Sequence, residues 1–289
     1  MGASAKTLDK IAELVRGGSV PLGAKIAELG TQNLNCDPGT AAKLVQLFRD
    51  KGANVSISDN EAARIGEGGY LGAILKAVGF DYTAIDIFDA PDTRLHDLNI
   101  DFVETDMLGK FDLVTNYGTT EHVINQMLAM RTIHDLAKLG GIIHHELPMG
   151  GYFLHCYFTY NPAIFHDLAS ANSYRLVDQK ISSGPWRRTS RALRENGFQD
   201  DRFRDYGIEV VFQKTTDAPF RIPVDNISSA TISEAAWTAH RDNEEIAIST
   251  VIPVDPQTMF ARLPFKTMHA AYWSRLRFAI LNHFVPPRG

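Results

Sequence analysis

"KIAELGTQNL", residues 25–34, is a short apolar run that ends in an acid, a glycine and small polar residues. The run is typical of a buried strand, and Gly30 directly after it lets the backbone approach a ligand closely. The stretch "PGTAAKLVQLFRDKG" predicts a helix from Pro38 to Gly52, whose free N–H groups would point at that ligand. A G-x-G-x-x-G phosphate loop is absent, because the next glycine is Gly39. We therefore predict a strand end that holds a nucleotide-like cofactor carrying a carboxylate and an ammonium group.

Strand-like and helix-like segments alternate along most of the chain. The predicted strands are "KIAELG", "DYTAIDIFD", "DFVETDML", "FDLVTNYG", "GGIIHHELP", "YRLVDQKISS" and "YGIEVVFQKT". The predicted helices are "MGASAKTLDKIAELVRGG", "PGTAAKLVQLFRDKG", "GGYLGAILKAVGF", "EHVINQMLAMRTIHDLAKLGG" and "NPAIFHDLASANSY". This alternation favours an α/β fold, a mostly parallel sheet with helices on both faces. Ligands of such sheets bind beyond the carboxyl ends of the strands, so the polar residues there are the functional candidates.

Composition narrows the class of protein and its partners. The chain has 289 residues, 44% of them hydrophobic and 22% charged, which is ordinary for a globular protein. Its net charge of −5 does not indicate a surface that binds nucleic acid. The chain contains no apolar run long enough to span a membrane. Two isolated cysteines suit a reducing cytoplasm. We expect a cytoplasmic protein with a small-molecule substrate.

The chain divides into two parts that differ in residue pattern and composition. Residues 1–216 carry the alternating pattern and begin with an amphipathic helix. Residues 217–289 start with a proline-rich and turn-rich stretch and are short for a typical domain. We expect this C-terminal extension to pack on the main domain, where it would cover a pocket, or on a partner subunit, where it would build a homodimer.

Polar residues follow the predicted strands in a regular order. An acid after the second strand can accept hydrogen bonds from both ribose hydroxyls, and Asp86 is best placed for this, with Asp89 as the alternate. In the next segment, Asp106 can accept from an exocyclic amine and Met107 can pack on a flat ring. Asn116, Tyr117 and Gly118 end the fourth strand, where it would open onto the reaction site.

Taken in order, these segments resemble the motifs of class I S-adenosylmethionine-dependent methyltransferases over roughly residues 22–215. "AELGTQN", "AIDIFD" and "ETDML" are similar to the first three motifs, and "FDLVTNYGTTEHV" with "LAKLGGIIHHELP" to the fourth motif and the turn before the fifth strand. The resemblance implies a Rossmann-like sheet of seven strands, the last one antiparallel, and bound S-adenosyl-L-methionine. The implied cofactor contacts are Glu28, Gly30 and Thr31 at the methionine portion, Asp86 at the ribose, Asp106 and Met107 at the adenine, and Asn116 beside the sulfonium. Tyr117, at the end of the fourth strand, is also predicted to contact the cofactor. Gln32 replaces the second glycine of the first motif and joins the predicted cofactor site.

Six of the ten histidines fall between residues 122 and 166. His134 and His166 are predicted to lie within helices and to be ordinary surface or core residues. Neighbouring residues of a strand point to opposite faces, so His145 would share a face with Leu147, and His144 the other face with Glu146.

Three interpretations of the remaining histidines stay open. His145 or His155 can serve as a general base, because the pKa of histidine lies near neutrality. Glu121, His122, Glu146 and His155 can instead bind a divalent metal, although no compact spacing such as H-E-x-x-H supports it. They can also be structural. We take His145, His155 and His122 as the candidate catalytic residues and assign no metal ligand.

The sequence thus predicts S-adenosylmethionine-dependent methyl transfer to a small-molecule acceptor. An oxygen nucleophile is the first expectation, followed by nitrogen or carbon, and a histidine would act as general base. Two alternatives are an NAD(P)-binding Rossmann-like oxidoreductase, which the single Gly30 disfavours, and a non-catalytic protein that has kept the fold.

Overall fold

The structure of the protein, a computed structural model, describes residues 2–183, Glu195 and residues 205–224. These residues belong to one compact unit. The predicted C-terminal extension from residue 225 onwards lies outside the described residues.

The described residues contain ten strands, six α-helices and one 3₁₀ turn. The strands are β1 Ala3–Ser4, β2 Lys25–Leu29, β3 Asn33–Asn35, β4 Glu67–Tyr70, β5 Asp81–Asp86, β6 Thr93–Leu95, β7 Phe111–Tyr117, β8 Ala137–Gly150, β9 Tyr174–Ser183 and β10 Tyr206–Lys214. The helices are α1 Ala5–Arg16, α2 Pro38–Asp50, α3 Asp59–Gly66, α4 Leu71–Ala77, α5 Gln126–Leu136 and α6 Pro162–Asn172, with the 3₁₀ turn at Thr120–His122. None of the helices in these ranges has the length and apolar character that crossing a membrane requires.

Seven strands form the main sheet in the order β6-β5-β2-β7-β8-β10-β9. The first five run parallel, whereas β10 is antiparallel to both β8 and β9. This topology confirms the predicted seven-stranded, mostly parallel Rossmann-like fold. One core packs α1 to α4 against one face of the sheet, and a second core packs α5 and α6 against the other.

Local sequence explains where several helices begin. Pro38 and Pro162 occupy the first turns of α2 and α6, and the side chains of Asp37 and Asn161 accept hydrogen bonds from backbone N–H groups there. Helix α3 was not predicted, although Ser58 and Glu61 form a capping box whose S-x-x-E signature is visible in the sequence.

Two predicted elements are wrong. "DFVETDML" does not form the third strand, which is β6, because residues 101–110 form loops and turns. Asp97 accepts from the Asn99 N–H at 2.8 Å and donates its own N–H to Asp101 at 2.6 Å, and these local bonds compete with sheet pairing. The helix predicted from residue 121 begins only at Gln126, because a 3₁₀ turn precedes it and Asn125 caps the helix proper.

A small second sheet was also not predicted. Strand β3 pairs in parallel with β1 and antiparallel with β4. The chain after Gly30 therefore forms a short strand before α2 instead of entering a helix directly. The N-terminus of α1 is held beside the loop that follows β2.

Candidate active site

The carboxyl ends of four parallel strands meet at one edge of the main sheet. Leu29 of β2 is in register with Ile85 of β5 and with Asn116 of β7, and Asn116 is in register with His145 of β8. The residues that follow these positions therefore share one edge, as expected for a ligand site in a parallel sheet.

The loop after β2 is held by the loops after β5 and β7. Gly30 has φ +70°, and its N–H donates to the Ile85 carbonyl at 2.8 Å. The Thr31 N–H donates to Asp86 Oδ2 at 2.7 Å. A Cβ added to Gly30 would lie 2.4 Å from Thr119 Oγ1, so the close approach of Thr119 requires glycine here. Thr119 is a site residue that the sequence analysis missed, because this contact joins two distant loops.

Gln32, which replaces the second glycine of the first motif, turns its side chain inward. Its amide donates to the Gly30 carbonyl at 3.4 Å and to Thr119 Oγ1 at 3.2 Å. Thr119 Oγ1 in turn donates to the Leu29 carbonyl at 2.6 Å. The Gln32 side chain thus links the loops after β2 and β7, at a position where the family motif has a glycine.

Glu28, the acid of the first motif, is fully buried in β2. It accepts hydrogen bonds from the Tyr82 hydroxyl and, at 3.3 Å, from the Gln32 N–H, while no described residue donates to its Oε1. Burial raises the pKa of Glu28 to about 8. The carboxyl group is therefore mostly protonated at neutral pH and lies within the sheet.

The two residues predicted at the adenine lie in different environments. Asp106 is exposed, and its carboxylate pairs with the Arg94 guanidinium at 2.8 Å, which also binds Glu104. Met107 is buried in the core beneath α5 and contributes to that core.

Asn116 and His145 belong to a buried hydrogen-bond network. The Asn116 amide donates to Thr120 Oγ1 at 2.8 Å and lies 3.1 Å from His145 Nδ1. The His145 ring packs against Phe165 and Phe212, and burial lowers its pKa to about 3. An imidazole in this position stays neutral, and it is shielded from a ligand at the strand edge.

The neighbouring His144 points to the opposite face of the sheet, as the alternation of a strand predicts. Its Nδ1 lies 2.8 Å from the Tyr117 hydroxyl, and its Nε2 lies 3.3 Å from Glu209 Oε1. Tyr117 is itself fully buried. Glu146, two residues on, accepts a hydrogen bond from the Thr7 hydroxyl at 3.0 Å and thereby binds α1.

Glu121, His122 and His155 come together beyond the end of β7. Their nearest ligand atoms lie within 4.8 Å of one another. Glu121 is fully buried, and within the described part of the chain neither of its carboxylate oxygens has a hydrogen-bond partner. Burial raises the pKa of Glu121 to about 7, and partial burial lowers the pKa of the His122 imidazole. Of the four residues considered as metal ligands from sequence, the structure thus brings three together, whereas Glu146 of β8 contacts α1 instead.

The loop between β8 and α6 positions His155. The Glu121 carbonyl accepts hydrogen bonds from the N–H groups of Tyr157 and Phe158 at 3.0 and 3.1 Å, which fixes this loop to the 3₁₀ turn. Tyr152 and Leu154 have backbone φ angles of +50° and +63°, a region that residues other than glycine rarely adopt. Such strain persists only where surrounding contacts impose it, and it is common at functional sites.

Comparison with known proteins gives a match to a family model over part of the chain. Residues 66–202, a little under half of the chain, match the family model described as a methyltransferase domain. No curated protein sequence matches the chain significantly. Together with the strand order, this match agrees with the class predicted from the motifs, the class I S-adenosylmethionine-dependent methyltransferases.

Solved structures similar to this chain include three bacterial proteins of low sequence identity. A Burkholderia thailandensis 1,6-didemethyltoxoflavin-N1-methyltransferase, solved with 1,6-didemethyltoxoflavin and S-adenosylhomocysteine, is 14% identical, with 73% of this chain and 78% of that chain covered and a TM-score of 0.41. TehB from Haemophilus influenzae is 13% identical, covering 71% and 62%, with a TM-score of 0.42. YcgJ from Bacillus subtilis is 10% identical, covering 72% and 98%, with a TM-score of 0.41.

The residues at the strand edge fit this cofactor at the ribose end. The Asp86 carboxylate accepts two backbone N–H groups, from Thr31 and Phe88, and a carboxylate has about four lone-pair sites. It therefore retains acceptor capacity for the two hydroxyls of a ribose. At the amino-acid end, Gln32 changes the usual loop, whereas Glu28 keeps one buried oxygen without a partner.

Proposed function

We propose that this protein transfers the methyl group of S-adenosyl-L-methionine to an oxygen atom of a small-molecule acceptor. The observation that carries the proposal is the cluster of Glu121, His122 and His155 at the edge of the sheet where Gly30 and Asp86 also lie. Thr119, two residues before Glu121, contacts Gly30 directly, so this cluster and the predicted cofactor loop adjoin each other.

The chain's own residues would bind the cofactor as follows. Asp86 accepts the ribose hydroxyls, and Gly30 and Thr31 offer backbone next to the methionine portion, close to the free oxygen of Glu28. Asp106 would border the adenine, whereas Met107, which is buried in the core, would support that loop from beneath. Asn116, Tyr117 and Gln32 act from beneath the site through their buried hydrogen bonds, which hold the loops after β2 and β7 in place.

Methyl transfer needs an oxygen nucleophile that loses its proton. Bound S-adenosyl-L-methionine would supply an electrophilic methyl group to the acceptor oxygen, with S-adenosylhomocysteine as the other product. The hydroxyl proton passes to a neutral imidazole of His122 or His155, both of which are exposed at the strand edge. His145 is less suited, because its low pKa and full burial favour a structural role.

A neighbouring cavity supports a small, polar acceptor. It has a volume of about 330 Å³ and lies between α1 and the ends of β8, β9 and β10. Charged residues of both signs line it, among them Lys6, Lys10, Glu146 and Glu209. Tyr152 also lines it, and its ring centroid lies 5.8 Å from that of His155, so the cavity adjoins the cluster.

Titration calorimetry of the full chain tests the proposal. Heat on addition of S-adenosylmethionine and of S-adenosylhomocysteine supports it, and transfer of a labelled methyl group to candidate hydroxyl compounds would establish the acceptor. Heat with a nicotinamide dinucleotide alone would favour an oxidoreductase. A protein that binds neither ligand would be a non-catalytic member of the family.

A further inference from the structure

We propose that Glu121, His122 and His155 bind a divalent transition-metal ion. They offer one carboxylate oxygen and two imidazole nitrogens, all within 4.8 Å of one another. His122 Nε2 lies 3.9 Å from Glu121 Oε1, and the centroids of the two imidazole rings are 5.1 Å apart. The three residues come from two separate loops, so the fold and not the local sequence brings them together.

The state of Glu121 is a second, independent observation. Its side chain is fully buried, yet neither carboxylate oxygen has a hydrogen-bond partner among the residues that the structure describes. Burying a carboxyl group without partners is costly, and native proteins rarely leave one so. A cation between this carboxylate and the two imidazoles would supply the missing partner.

The donor set indicates the class of ion. Two imidazoles and one carboxylate are typical of sites that hold zinc or another first-row transition metal with three protein ligands and leave positions open for water or substrate. Ligands around a four-coordinate ion with bonds near 2.1 Å lie about 3.4 Å apart, so the three groups must close by roughly 1 Å. His122 and His155 are exposed and can rotate towards Glu121, which is fixed in the interior.

The role of the ion rests on the proposed function. A divalent ion held by these residues would bind the acceptor hydroxyl at an open position and lower its pKa, so that oxygen attacks without a free imidazole as base. The proton then passes to solvent. In that case His122 and His155 act as ligands, which replaces the general-base role with a metal-binding one.

Cobalt binding to the untagged, chelator-treated full chain tests the inference directly. Co²⁺ bound to nitrogen and oxygen ligands gives visible absorption bands, which provide a readout that is independent of methyl transfer. We expect one Co²⁺ per chain, displaced by Zn²⁺ and not by Mg²⁺. Glu121→Gln and His155→Ala should each weaken Co²⁺ binding by at least about a hundredfold, since even the loss of an outer-shell partner costs ten- to a hundredfold.

The matched control is His166→Ala, which removes an exposed histidine of α6 and should leave the Co²⁺ titration unchanged. Glu121→Gln conserves the shape of the side chain, so this variant should fold. If it does not fold, His155→Ala, which changes an exposed loop residue, provides the test. Equal Co²⁺ affinity in the wild type and both variants, or no Co²⁺ bands at all, overturns the metal site. Heat on addition of S-adenosylhomocysteine to the same samples would then leave the proposed function intact. Conversely, Co²⁺ bands without that heat would support the metal site and contradict the proposed function.

Discussion

Two buried carboxyl groups lie beside neighbouring strand ends of this sheet, and their surroundings differ. Glu28 in β2 accepts from the Tyr82 hydroxyl and from the Gln32 backbone, whereas Glu121 beyond β7 accepts from no described group. Burial raises the pKa of both, to about 8 and about 7. The difference separates two uses of a buried acid. A carboxyl group with donors inside the sheet helps to fix a loop, whereas one without donors beside exposed imidazoles points to an external ligand.

The largest expected effect concerns the pH dependence of stability at Glu28. Its pKa rises from 4.5 in the unfolded chain to about 8 in the fold, so its contribution is complete below 4.5 and is lost as the pH rises towards 8. The free energy of unfolding should fall by about 1.4 kcal/mol per pH unit in this window, or about 5 kcal/mol in all. Urea unfolding across this window would measure it.

The variant Glu28→Gln should remove this part of the pH dependence, because a neutral amide has no proton to lose. Glu67→Gln changes an exposed glutamate and should leave the wild-type profile unchanged. Identical profiles for the wild type and Glu28→Gln would mean that Glu28 is solvated, and the comparison with Glu121 would then collapse.

Gly30→Ala should have the next largest effect. A new Cβ would meet the side chain of Thr119 at a φ of +70°, which is unfavourable for alanine. We expect a loss of roughly 3 kcal/mol in the free energy of unfolding, from backbone strain together with overpacking. Gly109→Ala is the matched control, because Gly109 has φ +62° and open space around the Cβ position. A loss of equal size in both variants would refute the contact between the loops after β2 and β7.

The sequence predicts most of the main sheet and only part of the site. Strand order follows from the family motifs, and Asp86, His122 and His155 lie at the expected edge because parallel strands end together. Strand β6 was misplaced, since a three-residue edge strand gives almost no periodic signal. The contact of Thr119 with Gly30 and the unpartnered state of Glu121 depend on packing between distant segments, and no local pattern encodes that.

Tyr82→Phe tests how much the hydroxyl group that donates to Glu28 contributes to stability. It removes the hydroxyl that Glu28 accepts from and leaves the carboxyl group with the Gln32 N–H alone. Because a buried acceptor then loses a partner, we expect a loss of about 2 kcal/mol in the free energy of unfolding. Tyr70→Phe, whose hydroxyl donates to the Pro91 carbonyl near the surface, should cost less in the same thermal or urea unfolding experiment. The reverse order would show that Tyr82 contributes through packing of its ring only.

Asp86→Ala should give the smallest effect, and it addresses the cofactor and not the fold. Asp86 keeps acceptor capacity after binding the Thr31 and Phe88 N–H groups, so its loss should weaken binding of S-adenosylhomocysteine at least about tenfold, or 1.4 kcal/mol. Asp89→Ala removes an exposed acid three residues further on and should leave the affinity unchanged in the same calorimetric titration. The pair separates recognition of the ribose from general electrostatics, because both variants remove one negative charge from the same loop. If Asp89→Ala weakened binding and Asp86→Ala did not, the motif would have to be shifted along the chain, and Glu28 would lose its assigned place next to the methionine portion.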